Sequence, residues 1–188
     1  MKRTQNTLAL FAGLTLLSCT MTAFASEAET SAGATSGRRG QSGTANGTAR
    51  YSGDLGFART DSRTGAINAA RSVAVGVDQD GLSLSVSTAV APRRGTAVAT
   101  NFNMSIGTRG DVALSTGSAH ATGGRQRGVS VVGNTRTTRH DAGATSVAQG
   151  KTSRGGTTRV ATRSEHHRVR RVTVQRHTRH IRRTIRVR

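Results

Sequence analysis

The sequence predicts a mostly β protein with a large disordered fraction. The expected architecture is a small antiparallel β meander, or a short β-solenoid, flanked by flexible arms. Three observations predict it. In the middle of the chain, apolar residues alternate with small ones at period two, the period of a half-buried strand. On either side, Ser, Thr, Gly and Ala or clustered Arg replace that pattern. Finally, Leu, Ile, Val and Phe make up only about 16% of the chain after residue 25, against a net charge of +17 (the full +19 less Lys2 and Arg3). That balance favours disorder over a thick core, and a large, well-packed enzyme domain is not expected on area alone.

Residues 1–25 read as a signal peptide. Lys2 and Arg3 form a positive n-region, Leu8 to Leu17 an apolar stretch, and Ala23-Phe24-Ala25 a small-residue cleavage site. The apolar stretch is about half the roughly 20 residues that a membrane span needs. The expected location is therefore outside the cytoplasm: secreted, periplasmic or on the cell surface. Leu16-Leu17-Ser18-Cys19 also resembles a lipobox, so acylation of Cys19 and a membrane-tethered lipoprotein is the alternative. Cys19 is the sole cysteine. Cleavage after Ala25 would leave a chain with neither disulfide nor thiolate metal chemistry.

Residues 26–65 read as a flexible Ser/Thr/Gly/Ala-rich linker, and residues 66–148 as a thin antiparallel β region. Within the latter, Val73, Val75 and Val77 alternate with small residues, Asp78-Gln79-Asp80-Gly81 supplies a turn, and Leu82, Leu84 and Val86 resume the alternation. About 29 residues later Phe102, Met104 and Ile106, a turn over Gly107 to Asp111, then Val112 and Leu114 repeat the design. Pro92-Arg93-Arg94-Gly95 reads as the loop between the two hairpins. One face of this meander carries Val, Leu, Phe, Met and Ile, the other Gly, Ala, Ser and Asn. The apolar face needs a cover, and a strand pair from 128 to 148, a second copy or a partner would serve. Weaker alternation around Val129 and Val131, then Thr145 and Val147, suggests strands that extend the sheet.

Residues 149–188 read as a basic, Arg-rich tail. Its last 26 residues hold ten arginines, four histidines and one acid, Glu165, interleaved with valine and isoleucine. β-branched residues favour an extended strand here over a helix, and neighbouring arginines repel one another. The expected polyanion-binding residues are Arg168, Arg170, Arg171, Arg176, Arg179, Arg182, Arg183, Arg186 and Arg188. After the signal, Lys151 is the only lysine. Guanidinium grips phosphate, sulfate and carboxylate with a planar fork where lysine offers a point charge. A base-composition bias that raises Arg, Gly and Ala together would give the same trend, although proline, which it should also raise, occurs once.

The function expected from these features is that of an exported, non-enzymatic protein binding anionic envelope or matrix polymers. Its partners would be an anionic polysaccharide, lipopolysaccharide or an anionic lipid surface; extracellular nucleic acid and homo-association also fit. The alternative is a self-associating β-rich surface or matrix protein whose tail only solubilises it.

Other motifs carry less. Short Arg-Gly elements at 38–40, 93–95, 124–128 and 154–156 are of the kind found in single-strand nucleic-acid binders, which usually add stacking aromatics that are scarce here. Arg109-Gly110-Asp111 matches the cell-adhesion tripeptide at a hairpin tip, a match that composition alone explains. His166-His167 and His177-x-x-His180 offer imidazoles amid positive charge, with Glu165 the sole nearby acid, so no metal site is expected. His140-Asp141, His120 and the serines lack the positional signature of a hydrolase. No catalytic residue and no cofactor are expected.

Overall fold

A computed structural model describes residues 25–37, 42–153 and 155–168. They form ten strands: β1 (Ser26–Thr35), β2 (Ala45–Ser52), β3 (Leu55–Arg63), β4 (Ile67–Asp78), β5 (Gly81–Pro92), β6 (Ala97–Gly107), β7 (Asp111–Gly123), β8 (Arg127–Thr137), β9 (Ala142–Thr152) and β10 (Gly156–Arg168). Every pairing is antiparallel. One sheet has the order β10-β7-β6-β5-β4-β3 and the other β2-β1-β8-β9. The two sheets stack as a sandwich.

The meander expected from the alternation is β4 to β7. Val77 pairs with Leu82, Val75 with Leu84 and Val73 with Val86 across the first hairpin; Ile106 pairs with Val112 and Met104 with Leu114 across the second. Asp78 closes the first turn by accepting the Asp80 and Gly81 backbone N–H groups through Oδ1, at 2.8 and 3.0 Å.

The cover, however, lies on the opposite face from the one expected. The buried face of the meander is the small one: Ser83, Ser85 and Ser87 on β5, Ala99, Asn101 and Asn103 on β6 and Ala113 and Ser115 on β7 are all buried. The strand pair β8-β9 does act as part of the cover, but in the second sheet rather than as an extension of the first. The reason is reach. Small side chains let two backbones approach until hydroxyls and amides on one sheet meet carbonyl oxygens on the other. Ser72 Oγ donates to Ser31 O at 2.6 Å, Ser83 Oγ to Ser26 O at 2.8 Å, Ser105 Oγ to Arg136 O at 2.9 Å and Thr137 Oγ1 to Leu82 O at 3.1 Å. Asn101 Nδ2 reaches Val132 O at 2.6 Å, and Asn68 Nδ2 reaches Thr35 O at 2.8 Å. Such short side chains cannot span the roughly 10 Å separation of a sandwich filled with Leu and Phe.

The interior divides along the strands. One half is alanine, with Ala32, Ala34, Ala70, Ala89, Ala99 and Ala119 packed around Val129 and Val131. The other half is hydroxyl and amide, centred on Asn103, which is fully buried. Asn103 Oδ1 accepts from Ser85 Oγ at 2.5 Å, and Nδ2 faces Ser115 Oγ, Thr145 O and Ser146 Oγ at 3.1, 3.1 and 2.8 Å. Burying polar groups is tolerable only when they are paired in this way.

The large apolar residues are left outside. Register aligns Phe57, Val75, Leu84, Met104 and Leu114 in one row across the outer face of the six-stranded sheet. Leu55, Val77, Leu82, Ile106 and Val112 form the row beside it, and Val73, Val86 and Phe102 begin a third. These side chains are half-buried against one another or exposed.

Residues 26–65, expected as a flexible linker, hold β1, β2 and β3. Their inward positions are Ser, Ala, Thr and Gly, with Tyr51 against Gly56 the one large side chain, so no bulky apolar run marks the buried side, yet Ala28 and Thr30 are fully buried. Likewise β10 extends order into the expected tail, held by its ladder with β7 from Gly156 to Arg168. Residues 1–24, with Cys19, and residues 169–188 lie outside the described residues.

Close approach makes the interior intolerant of added volume. A Cβ at Gly133 would overlap Asn103 Oδ1 and lie 2.6 Å from its Cγ. Gly133→Ala is expected to destabilise by about 1–3 kcal/mol, the range for overpacking a tight core, in urea melts. Gly65→Ala, where nothing lies within 4 Å, should leave the midpoint within error.

Candidate polyanion-binding surfaces

Antiparallel strands sort their connections to two ends of the sandwich. The β2–β3, β4–β5, β6–β7 and β8–β9 connections share one end, and the β3–β4, β5–β6, β7–β8 and β9–β10 connections the other. Charge follows this division. Glu27, Glu29, Asp54, Asp78, Asp80, Asp111, Asp141 and Glu165 all lie in the first half, among Arg50, Arg109, Arg136, Arg139, Arg163 and Arg168. At the second end, exposed Arg63, Arg93, Arg94, Arg125, Lys151 and Arg159 gather, and its described connections contain no Asp or Glu. Asp61, two positions inward on β3, is the nearest acid along that strand and is bridged by Arg59 at 3.2 Å.

The arginine end is built around Arg127. Its side chain is buried, with the residue 7% exposed, and no carboxylate pairs with it among the described residues. Instead the guanidinium donates to four carbonyls: Nη1 to Gly123 O and Gly124 O at 3.4 and 3.2 Å, and Nη2 to Pro92 O and Arg93 O at 3.3 and 2.9 Å. This clamps the β5–β6 connection, which displays Arg93 and Arg94, onto the β7–β8 connection, which displays Arg125. The latter turns at Gly123 and Gly124, whose φ angles of 71° and 61° favour glycine. Ser153 Oγ accepts the backbone N–H groups of Arg125 and Gln126 at 2.7 and 3.1 Å. Ser36 Oγ accepts that of Arg127 at 2.9 Å. Two further connections are thereby tied to the same cluster. A charge held by carbonyl dipoles and not by a carboxylate remains a positive centre beneath the exposed arginines.

Two of the Arg-Gly elements, 93–95 and 124–128, are therefore one structural unit. Sequence spacing held the signal: elements about 30 residues apart, two strands and their turns, return to the same end. Arg38, Arg39 and Arg154 lie outside the described residues.

Of the expected polyanion-binding set, the structure describes Arg168 alone. Its Nε meets Asp111 Oδ1 at 3.1 Å, and the Asp111 side chain is 4% exposed. Arg168 thus pins the last position of β10 to the first of β7. Arg170, Arg171, Arg176, Arg179, Arg182, Arg183, Arg186 and Arg188 lie outside the described residues. The Arg109-Gly110-Asp111 tripeptide does sit at a hairpin tip with Arg109 exposed, but its carboxylate is buried under Arg168 and cannot be presented.

His166 Nε2 lies 3.5 Å from Asp141 Oδ1, and His167 Nε2 lies 3.6 Å from Glu165 Oε2, both at the acidic end. His177 and His180 fall outside the described residues. Among the described residues no three His, Cys, Asp or Glu side chains group as metal ligands would.

Arg127→Met keeps the side-chain bulk and removes the donors. We expect it to cost about 1.5–3 kcal/mol, the range for hydrogen bonds to a charged group, in chemical denaturation. Arg94→Gln, on the exposed loop, should stay within about 0.5 kcal/mol.

No protein-family model matches the chain, and neither a curated protein nor a solved structure matches it.

Proposed function

We propose that this is an exported, non-enzymatic protein that holds anionic envelope or matrix polymers by arginine. Two regions supply the contacts: the C-terminal segment 169–188 and the arginine end of the sandwich. The observation that carries this reading is the segregation of charge. Acids accompany the arginines at one end, and at the other a buried guanidinium fixes loops whose exposed charges are all positive. Fixed, uncompensated arginines displace the counterions of a polyanion without first losing much conformational freedom.

The arginine end is far from Arg168, the last described residue. β10 runs from Gly156 at the arginine end to Arg168 at the acidic end, a span of about 40 Å at roughly 3.3 Å per residue. An extended polymer can therefore engage both, and the second contact then forms at high effective concentration. Export rests on the n-region, apolar stretch and Ala23-Phe24-Ala25 site; acylation at Cys19 is its tethered form. Either route directs the protein to anionic lipids, lipopolysaccharide and acidic polysaccharides.

Self-association as a β-rich surface protein is the second reading, and the open edges of β3 and β10 favour it. Charges on those edges oppose it: Arg59, Asp61 and Arg63 on β3, and Arg159, Arg163, Glu165 and Arg168 on β10. Edge charges are a common guard against strand-to-strand pairing.

Salt-dependent retention on heparin separates the contributions. Deleting residues 169–188 should lower the eluting salt but leave measurable retention. Adding Arg93→Gln, Arg94→Gln and Arg125→Gln should abolish what remains, and these three alone should reduce the log–log salt slope by roughly 2–3. Retention unchanged by both alterations would falsify the reading.

A further inference from the structure

We infer that the outer face of the six-stranded sheet is a docking surface for an anionic lipid bilayer, on which the sandwich lies flat. This deepens the polyanion reading by naming a lipid headgroup layer as the partner, and it rests on that reading for its electrostatic half. The apolar half stands independently.

Three rows of apolar side chains cover β3 to β7 on this face. Leu55, Phe57 and Phe102 are 72%, 53% and 41% exposed, although the interior of the same protein is built from alanine and serine. Large side chains have been excluded from the inside, and none of the described elements covers them outside. At about 4.8 Å between strands and about 6.8 Å between same-face residues, the patch measures roughly 20 Å by 20 Å, on the order of 400 Å². Contiguous exposed patches of this kind mark interaction surfaces.

Size and charge decide the occupant. A stable protein–protein interface buries about 800 Å² per partner, rim included, about twice the apolar patch, so a second copy seated face to face would have to bury the charged surroundings as well. It would also meet like charge. Arg59, Arg63, Arg71, Arg159 and Arg163 point outward on this face by register, against Asp61 and Glu165. Both acids are already bridged, by Arg59 and Arg163 respectively. The opposite face of the sandwich shows the contrast. There Glu27 and Glu29 offset Arg50, Arg136 and Lys151, and the exposed apolar pair Val132 and Val147 is surrounded by Asn46, Thr48, Asn134 and Gln149.

An apolar centre flanked by arginines on β3, β4 and β10, with exposed Asp54 at its border on the acidic end, matches the interface of an anionic bilayer, where acyl chains lie below phosphates. The sandwich would lie on the bilayer and not cross it, because the open edges of β3 and β10 could not be left unpaired in hydrocarbon. The chain beyond Arg168 also leaves from an edge strand of this sheet, beside the row that ends in Val112 and His167.

The test uses the chain from Ser26, which contains all ten strands. With no tryptophan in the sequence, Phe102→Trp gives a single reporter on the apolar face and Val147→Trp one on the opposite face. The vesicles are phosphatidylcholine with about 30% phosphatidylglycerol, a composition that supplies the anionic surface. On them the indole emission of the Phe102→Trp protein should shift blue and be quenched by brominated acyl chains. That of the Val147→Trp protein should do neither. Leu55→Ser, Phe57→Ser and Phe102→Ser together should weaken vesicle binding at least tenfold with heparin retention unchanged. A far-ultraviolet circular dichroism spectrum and urea midpoint unchanged from the unsubstituted chain show the variant to be folded.

Equal quenching of both reporters, or vesicle binding indifferent to the triple substitution, overturns the docking face and leaves the polyanion reading standing. Loss of heparin retention by the unsubstituted chain would instead sink the polyanion reading. A dimer in sedimentation that the triple substitution converts to monomer would assign the face to a second copy, and that too overturns the proposal.

Discussion

The close approach of two sheets through small side chains is the constraint on which the rest of this structure depends. Ser72, Ser83, Ser105 and Thr137 hydrogen-bond directly to carbonyls of the facing sheet. A hydroxyl two bonds from its Cα can do so only if the backbones are nearly in contact. Hydrophobic burial contributes less than usual, since Val131 is the bulkiest of the fully buried side chains and Ala offers little area. Long antiparallel ladders and paired interior hydroxyls take its place. The interior is therefore more specific than a greasy one, because each hydroxyl left without its partner would carry a desolvation penalty.

From that constraint the surface follows. A strand shows one face to each side, so choosing serine and alanine for the inside sends Val, Leu, Phe, Met and Ile outside. The sandwich becomes two-faced, with rows of apolar side chains over the six-stranded sheet and a mainly polar and charged surface around Val132 and Val147 over the four-stranded one. Antiparallel connectivity then imposes a second asymmetry, because alternate connections return to the same end. Acids lie among arginines at one set of connections, and the other set carries arginine without acids among the described residues, with Arg127 tying two arginine loops together.

The central hairpins were legible because apolar and small residues contrast at period two, and the turns at Asp78–Gly81 and Gly107–Asp111 carry their own chemistry. The strands β1 to β3 were not legible, because their buried side is mostly Ser, Ala, Thr and Gly, and the contrast on the outer side is confined to single pairs, Glu27 and Glu29 on β1 and Leu55 and Phe57 on β3. β10 was hidden differently: its arginines and threonines read as a solvated tail, whereas its order comes from the ladder to β7, a contact distant in sequence. The arginine loops could be recognised singly as Arg-Gly elements. Their assembly around a buried Arg127 could not, since nothing local distinguishes Arg127 from Arg125 two positions before it.

The sequence by itself determined the β period, the two-sided strands, the excess of arginine and the expectation of export, since all are properties of local order and composition. The tertiary structure alone decided which of the two faces is inside. Alternation is symmetric under exchange of faces, and hydrophobicity taken strand by strand favours burying valine and leucine. Only the summed geometry of two sheets, with hydroxyls in register with carbonyls across the gap, makes the alanine and serine face the buried one.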